Sequence, residues 1–305
     1  MDQSKEDRSD FLKLILILKS NIFVILGFVF VAGILSIILS LQMPNKYRSE
    51  IKIVPSTEEG NQGLGALAGQ FGGLASMAGI NLGGKSDVNI ILDTVKSRSF
   101  IKPLIDKYDL TYLLFAIESW DMATNNLIID EKVYDSANKK WVRDVELPKQ
   151  PKPSLEEAYE EFNKYFSVHL NKKTNLITLS VTYYSPEIAK QWIDYISIEL
   201  SEYLRKIEQT KADESIEYLT AERSNSNIVD IRKVLSEILK EQYQKKMLTE
   251  IRKYYGFDIR DHSYIPEKKH SPKRAFIVIG SVFFGFILSI VFIFLRLFWK
   301  EIKHG

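Results

Sequence analysis

The stretch IPEKKHSPKRAFIVIGSVFFGFILSIVFIFLRLF, residues 265–298, decides how the chain is read. It opens on a basic collar punctuated by Pro266 and Pro272 and closed by Lys273 and Arg274. The 21 residues that follow, Ala275 to Leu295, carry no charge. About 20 such residues cross the hydrocarbon core of a bilayer as a helix, so 275–295 reads as a membrane span. Working outward, residues 22–41 form a second uncharged run and read the same way. That run is longer than the apolar core of a signal peptide, and no small-residue cleavage site follows in SLQMPNKY, so it reads as an uncleaved anchor.

Two spans place both tails, 1–21 and 296–305, on one side of the membrane. The 233 residues 42–274 lie alone on the other side, enough for one domain with its own core. This middle carries 34 basic and 34 acidic residues, and the formal +2 arises in the C-terminal tail. A neutral domain has no nucleic-acid signature. Cysteine is absent, which excludes disulfides and thiolate metal sites. Charge does not orient the spans. Seven Lys/Arg flank them on the tail side and eight on the domain side, Lys46, Lys269, Lys273 and Arg274 among these, a tie under the positive-inside rule.

Within the spans, Ala32, Ser36 and Ser40 recur every four residues, as do Ser281, Gly285 and Ser289. Small residues at this spacing let helix backbones approach closely in lipid, so the spans are expected to pack together or against neighbouring copies.

Between the spans, YRSEIKIVP (47–55) alternates as a strand does. Residues 60–84 are glycine-rich and unsuited to regular structure. Residues 87–117 show helical spacing, with Pro103 expected to open a second helix. Residues 118–153 are polar and end in the connector LPKQPKP. Ser154 and Glu157 form a capping box for the next helix. FSVHL and LITLSVTYY, joined by NKKTN, read as a hairpin.

From the Ser185 cap and Pro186 a helix of 38 residues, about 57 Å long, is expected. Ile188, Trp192, Ile196, Leu200, Tyr203 and Ile207 share one face of it. A break at 224–227 precedes a return helix with Ile231, Leu235, Ile238, Met247 and Ile251 on its face. Gly256 is expected to end that helix, and 257–266 to form a strand. The fold class is thus an α+β membrane protein, two transmembrane helices flanking an α+β base with a long extended helical region, 185–255.

Catalysis finds little support. GINLGGKS, Gly79 to Ser86, matches the phosphate-cradling string G-x-x-x-x-G-K-S, and LIIDE (127–131) looks like its magnesium-holding strand. Yet no β-branched strand precedes Gly79 and no βαβ series follows, so the match reads as chance. His169, His262, His270 and His304 are scattered without ligand spacing. No catalytic residue, cofactor site or metal site is expected.

The arrangement resembles the Wzz-type polysaccharide co-polymerases, the chain-length determinants of bacterial O-antigen and related glycans. The stretches that carry the resemblance are MPNKYRSEIKIVP (43–55), VKSRSFIKPLI (95–105), YYSPEIAKQWID (183–194) and LKEQYQKKMLTEIRKYYGFDIRDHSYIPEKKHSPKR (239–274). It implies a bacterial inner-membrane protein with cytoplasmic termini and a periplasmic chain-length-determinant domain. It also implies a ring-like homo-oligomer without enzymatic activity, acting with a separate polymerase on a lipid-linked glycan polymer. Two departures stand out: family collars often carry three or more prolines where this one has two, and no kinase domain follows the second span. Two other readings compete. A structural adaptor of a polysaccharide export complex would share the shape, whereas a two-span sensor would need an output module for which the tails leave no room.

Overall fold

The computed structural model describes residues 18–56 and 87–304, and the glycine-rich segment and GINLGGKS lie outside the described residues. The chain divides into two compact units, residues up to 46 together with those from 269 on, and residues 47–268.

In the first unit, helix α1 (Ile22–Gln42) packs against a C-terminal helix, Arg274–His304. Both are long and apolar enough to cross a membrane. The C-terminal helix runs past Leu295 without a break, because Arg296, Lys300 and Lys303 are good helix formers. The contacts run in opposite order along the two chains, Phe28 against Phe292, Gly33 against Val282 and Ser40 against Arg274, so the helices are antiparallel. Their remaining surface is apolar and outward-facing, as at Phe23, 85% exposed, and Phe276, 72% exposed.

The second unit is built on a four-stranded antiparallel sheet in the order β6–β7–β1–β8. Strand β1 (Tyr47–Pro55) lies inside the sheet and buries Tyr47, Ser49, Ile51 and Ile53 on one face. It pairs with β7 (Leu176–Tyr183) on one side and β8 (Phe257–Asp261) on the other. The hairpin of β6 (Phe166–Asn171) and β7 turns through Asn175 at φ 52°, a conformation asparagine tolerates. Strand β8 stops at Asp261, shorter than the expected 257–266.

Three helices follow β1 in sequence: α2 (Asp87–Lys96), α3 (Arg98–Lys107) and α4 (Leu110–Phe115). The second helix opens not at Pro103 but at Arg98, because the Ser97 side chain accepts from the Phe100 N–H and caps it. Pro103 sits inside α3, which still buries Phe100, Ile101, Leu104 and Ile105. Residues 118–153 hold two small hairpins that the sequence reading lacked, β2 (Ile117–Asp121) with β3 (Asn126–Ile129) and β4 (Tyr134–Asp135) with β5 (Lys140–Trp141). The second of them is built on aromatic contacts, Tyr134 on Trp141 at 5.2 Å and on Tyr112 at 4.9 Å. Helix α5 (Leu155–Tyr165) carries the expected capping box, with both bonds between Ser154 and Glu157 formed.

Helix α6 (Pro186–Asn225) has 40 residues, about 60 Å of rise. Its first half lies on β1 and β7 and buries Trp192, Ile196 and Leu200 in the main core with Tyr183, Phe162 and Phe257. Farther along it packs on α7 (Val229–Ile251). A small cluster of Leu219, Ile238 and Leu239 holds the pair together there, with Lys246 bridging to Asp213 at 2.6 Å.

The return helix departs from expectation in two ways. Its buried seam runs through Ile238, Gln242 and Thr249, while Met247 and Ile251 are 57% and 70% exposed. A helix with one partner covers only a narrow stripe with three- and four-residue steps, and polar Gln242 and Thr249 occupy it. Helix α7 also ends at Ile251, well before Gly256. The Arg205 guanidinium donates to the carbonyls of Arg252 and Lys253 at 3.0 and 3.2 Å and satisfies the backbone beyond the helix. Gly256 instead admits the chain to β8 at φ 86°, where an added Cβ would lie 2.7 Å from Leu204 Cδ1.

Candidate functional site: the paired spans and the collar

The helix pair is held where the small residues fall. A Cβ on Gly285 would lie 2.7 Å from Ala32 Cβ and 3.2 Å from the Phe28 carbonyl, so the two backbones touch at this point. Ser36, Ser40 and Ser289 are buried, and each donates its hydroxyl to the carbonyl three residues earlier. None of these three hydroxyls is thus left unbonded in apolar surroundings. Ala32 and Ser281 are half-buried.

The collar residues do not form one cluster. Pro266 belongs to the 47–268 unit and is buried, whereas Pro272, Lys273 and Arg274 belong to the helix unit. In the helix unit the chain segments beside the two helices form a backbone bridge. Lys46 N donates to the Ser271 carbonyl at 2.8 Å, and the Lys46 carbonyl accepts from the N–H groups of His270 and Ser271 at 2.8 and 3.2 Å. Arg274 donates from Nε to the Ser40 carbonyl at 3.0 Å and from Nη2 to Asn45 Oδ1 at 3.3 Å. It thereby satisfies a carbonyl in the last turn of α1, a task that sequence spacing alone does not reveal.

The domain unit has an open groove of about 620 Å³ between α3 and α6, with Phe100, Pro103, Leu104, Tyr203 and Ile207 on its apolar walls. On its rim Glu199 Oε1 accepts from Lys107 Nζ and Tyr108 Oη, both at 2.7 Å. Burial and then the hydrogen bond to Glu199 push the Tyr108 hydroxyl up to about 12. Burial raises Tyr165 and Tyr183 further, and Tyr183 also donates to the Leu113 carbonyl at 2.5 Å. Folded-state tyrosine pKa values above the unfolded value of about 10 stabilise the fold below pH 10, and that stability is lost as pH rises through the folded values. Domain stability is therefore expected to fall from pH 10 upward. In a pH titration, the slow part of the tyrosinate absorbance should coincide with loss of near-UV dichroism. Complete tyrosine ionisation with the dichroism intact would contradict it.

Burial alone would raise the Glu157 carboxyl. Hydrogen bonds from Arg143 and the Ser154 N–H outweigh it and hold the group below the usual range. This is a structural ion pair that ties the proline connector to α5, since Arg143 also donates to the carbonyls of Gln150 and Pro151. Among the described residues no three His, Cys, Asp or Glu side chains are grouped to hold a metal ion. LIIDE contributes to β3 of a two-stranded hairpin rather than to a parallel nucleotide-binding sheet.

Two paired helices, each long and apolar enough to cross a membrane, bracket in sequence an α+β domain with a long helical hairpin. Residues 7–108 match the sequence profile of the Wzz family, chain length determinant protein, in agreement with the resemblance read from the sequence. Among solved structures, the chain is similar to a full-length bacterial polysaccharide co-polymerase at 13% identity and TM-score 0.37, over 94% of this chain and 97% of that one. It is similar to a fragment of the polysaccharide co-polymerase WzzB from Salmonella Typhimurium at 12% identity and TM-score 0.29, over 74% and 100% of the two chains. A mutant of the Shigella flexneri lipopolysaccharide O-antigen chain-length regulator WzzBSF aligns at 11% identity and TM-score 0.27, over 73% and 99%. No curated protein sequence matches the chain.

Proposed function

We propose that this chain regulates the length of a bacterial polysaccharide, O-antigen or a related glycan. In this reading it acts without catalysing a reaction, as a homo-oligomer beside the polymerase that extends the lipid-linked polymer. Its two helices span the inner membrane, both termini face the cytoplasm, and residues 42–274 stand in the periplasm. The observation that carries the reading is the family match over residues 7–108, which takes in α1, β1, α2 and α3. The paired apolar helices and the domain between them agree with it.

The long helical hairpin gives the assembly a surface along which a growing polymer could be held. The paired spans give it a membrane face for a polymerase. Deleting the gene is expected to broaden a banded polymer ladder on a gel into an unregulated distribution, and re-expression to restore the bands. An unchanged ladder would remove the proposal. Copurification with an outer-membrane export channel instead of a polymerase would replace it with the export-adaptor role.

A further inference from the structure

The bridge between Lys46 and Ser271 gathers positive charge at one end of the helix pair. Lys46 is locked by backbone hydrogen bonds beside residues 270 and 271. Lys269 and Lys273 flank those two residues in sequence and are exposed. Arg274 is fixed by its bonds to Ser40 and Asn45. Neither Lys269 nor Lys273 forms an ion pair with a carboxylate among the described residues. No Asp or Glu occurs in 37–46 or 269–275, and the nearest preceding acid is Glu267. Lys273 Nζ lies 6.0 Å from the centre of the exposed Phe276 ring, at the edge of the apolar helix surface. Such an aromatic and lysine pair suits the headgroup level of a bilayer.

Cations beside spans ordinarily concentrate on the cytoplasmic side. In the proposed topology these cations sit at the opposite end, on chain segments joined by backbone hydrogen bonds between Lys46 and residues 270 and 271. Ammonium groups beside a guanidinium that is itself held in place are complementary to phosphate at the headgroup plane. A diphosphate concentrates more negative charge on fewer atoms than the diester of an ordinary phospholipid, and so matches a localised cluster better than bulk lipid does.

We propose that Lys46, Lys269, Lys273 and Arg274 bind the diphosphate that joins a membrane lipid to a glycan. Lys269 and Lys273 supply the direct contacts, and Lys46 and Arg274 add to the field. The choice of a glycan-bearing lipid rests on the chain-length reading, whereas the phosphate chemistry rests on the cations themselves.

The test uses the full-length protein in phosphatidylcholine nanodiscs, with a long-chain polyprenyl diphosphate as the probe and native mass spectrometry as the readout. The probe is expected to bind, and phosphatidylglycerol at the same mole fraction not to displace it. Lys269→Gln with Lys273→Gln should weaken binding by at least about tenfold, as expected for two lysines near a charged headgroup. Lys233→Gln on α7 should leave it unchanged. Displacement by phosphatidylglycerol at equal mole fraction, or wild-type binding by the double variant, would overturn the site. The polymer ladder separates the two claims. An unaltered ladder after gene deletion, with probe binding retained, removes the chain-length reading alone.

Discussion

Replacing Gly285 by leucine is expected to part the two long apolar helices and leave the domain folded. A single Cβ at this position already comes within 2.7 Å of Ala32 Cβ and 3.2 Å of a backbone carbonyl that cannot move without its helix. Overpacking of this kind costs about 1–3 kcal/mol. In an association equilibrium that is roughly a 5- to 150-fold loss. Lipid offers no hydrophobic drive to restore the contact. The chain has no cysteine, so engineered pairs report cleanly. A Gly33→Cys, Val282→Cys pair stands at the observed contact, where a Cβ on residue 33 lies 3.7 Å from Val282 Cγ2. Its crosslinking in membranes should fall steeply when Gly285→Leu is added. The near-UV dichroism of the domain should not change. Full crosslinking in the triple variant would show that the helices do not depend on this approach. If the length-control reading holds, the same variant shifts the polymer ladder.

The largest effect on the domain itself is expected from Trp192→Ala. Trp192 is fully buried, its ring lying 4.7 Å from Tyr183 and 5.8 Å from Phe162, at the place where α6 lies on the sheet. Truncating a core tryptophan costs about 3–5 kcal/mol, a large share of the roughly 5–15 kcal/mol that holds a typical domain. The indole Nε1 has no hydrogen-bond partner among the described residues. Trp192→Phe therefore removes an unsatisfied buried donor along with some volume, and about 1 kcal/mol of destabilisation is expected from the small cavity. Urea midpoints measured on the full-length protein in detergent should rank wild type, then phenylalanine, then alanine, with alanine far below. Equal losses for both variants would mean that the indole nitrogen contributes a bond.

The outline of this fold is written in features that act locally. Uncharged runs of about 20 residues, the Ser154–Glu157 capping box, the Ser185–Pro186 start and the alternation in YRSEIKIVP each determine their own element. What the sequence concealed depends on partners distant in the chain. Pro103 is tolerated inside α3 because Ser97 caps the helix and four apolar residues anchor it to the core. Met247 and Ile251 look like core from their spacing, but among the described residues α7 packs chiefly on α6, and the seam takes in Gln242 and Thr249. Gly256 looks like a helix terminator, yet Arg205 from α6 takes that task. Of the collar, the prolines and charges were visible in sequence. The hydrogen bond from Arg274 to Ser40, 234 positions away, was not.

The position of β1 in the sheet bears on when this protein can become itself during synthesis. β1 is the first strand made, yet its neighbours arrive late: Ile53 pairs with Ile177 and with Ile259. At about 5–20 residues per second, the ribosome needs roughly 6–25 s to reach the first partner and 10–40 s to reach the second. Throughout that interval an apolar strand with open edges waits for both of its neighbours, the condition in which chains pair wrongly with each other. Neighbouring nascent copies on one message would share that hazard, so maturation of this domain is a matter of timing as much as of stability.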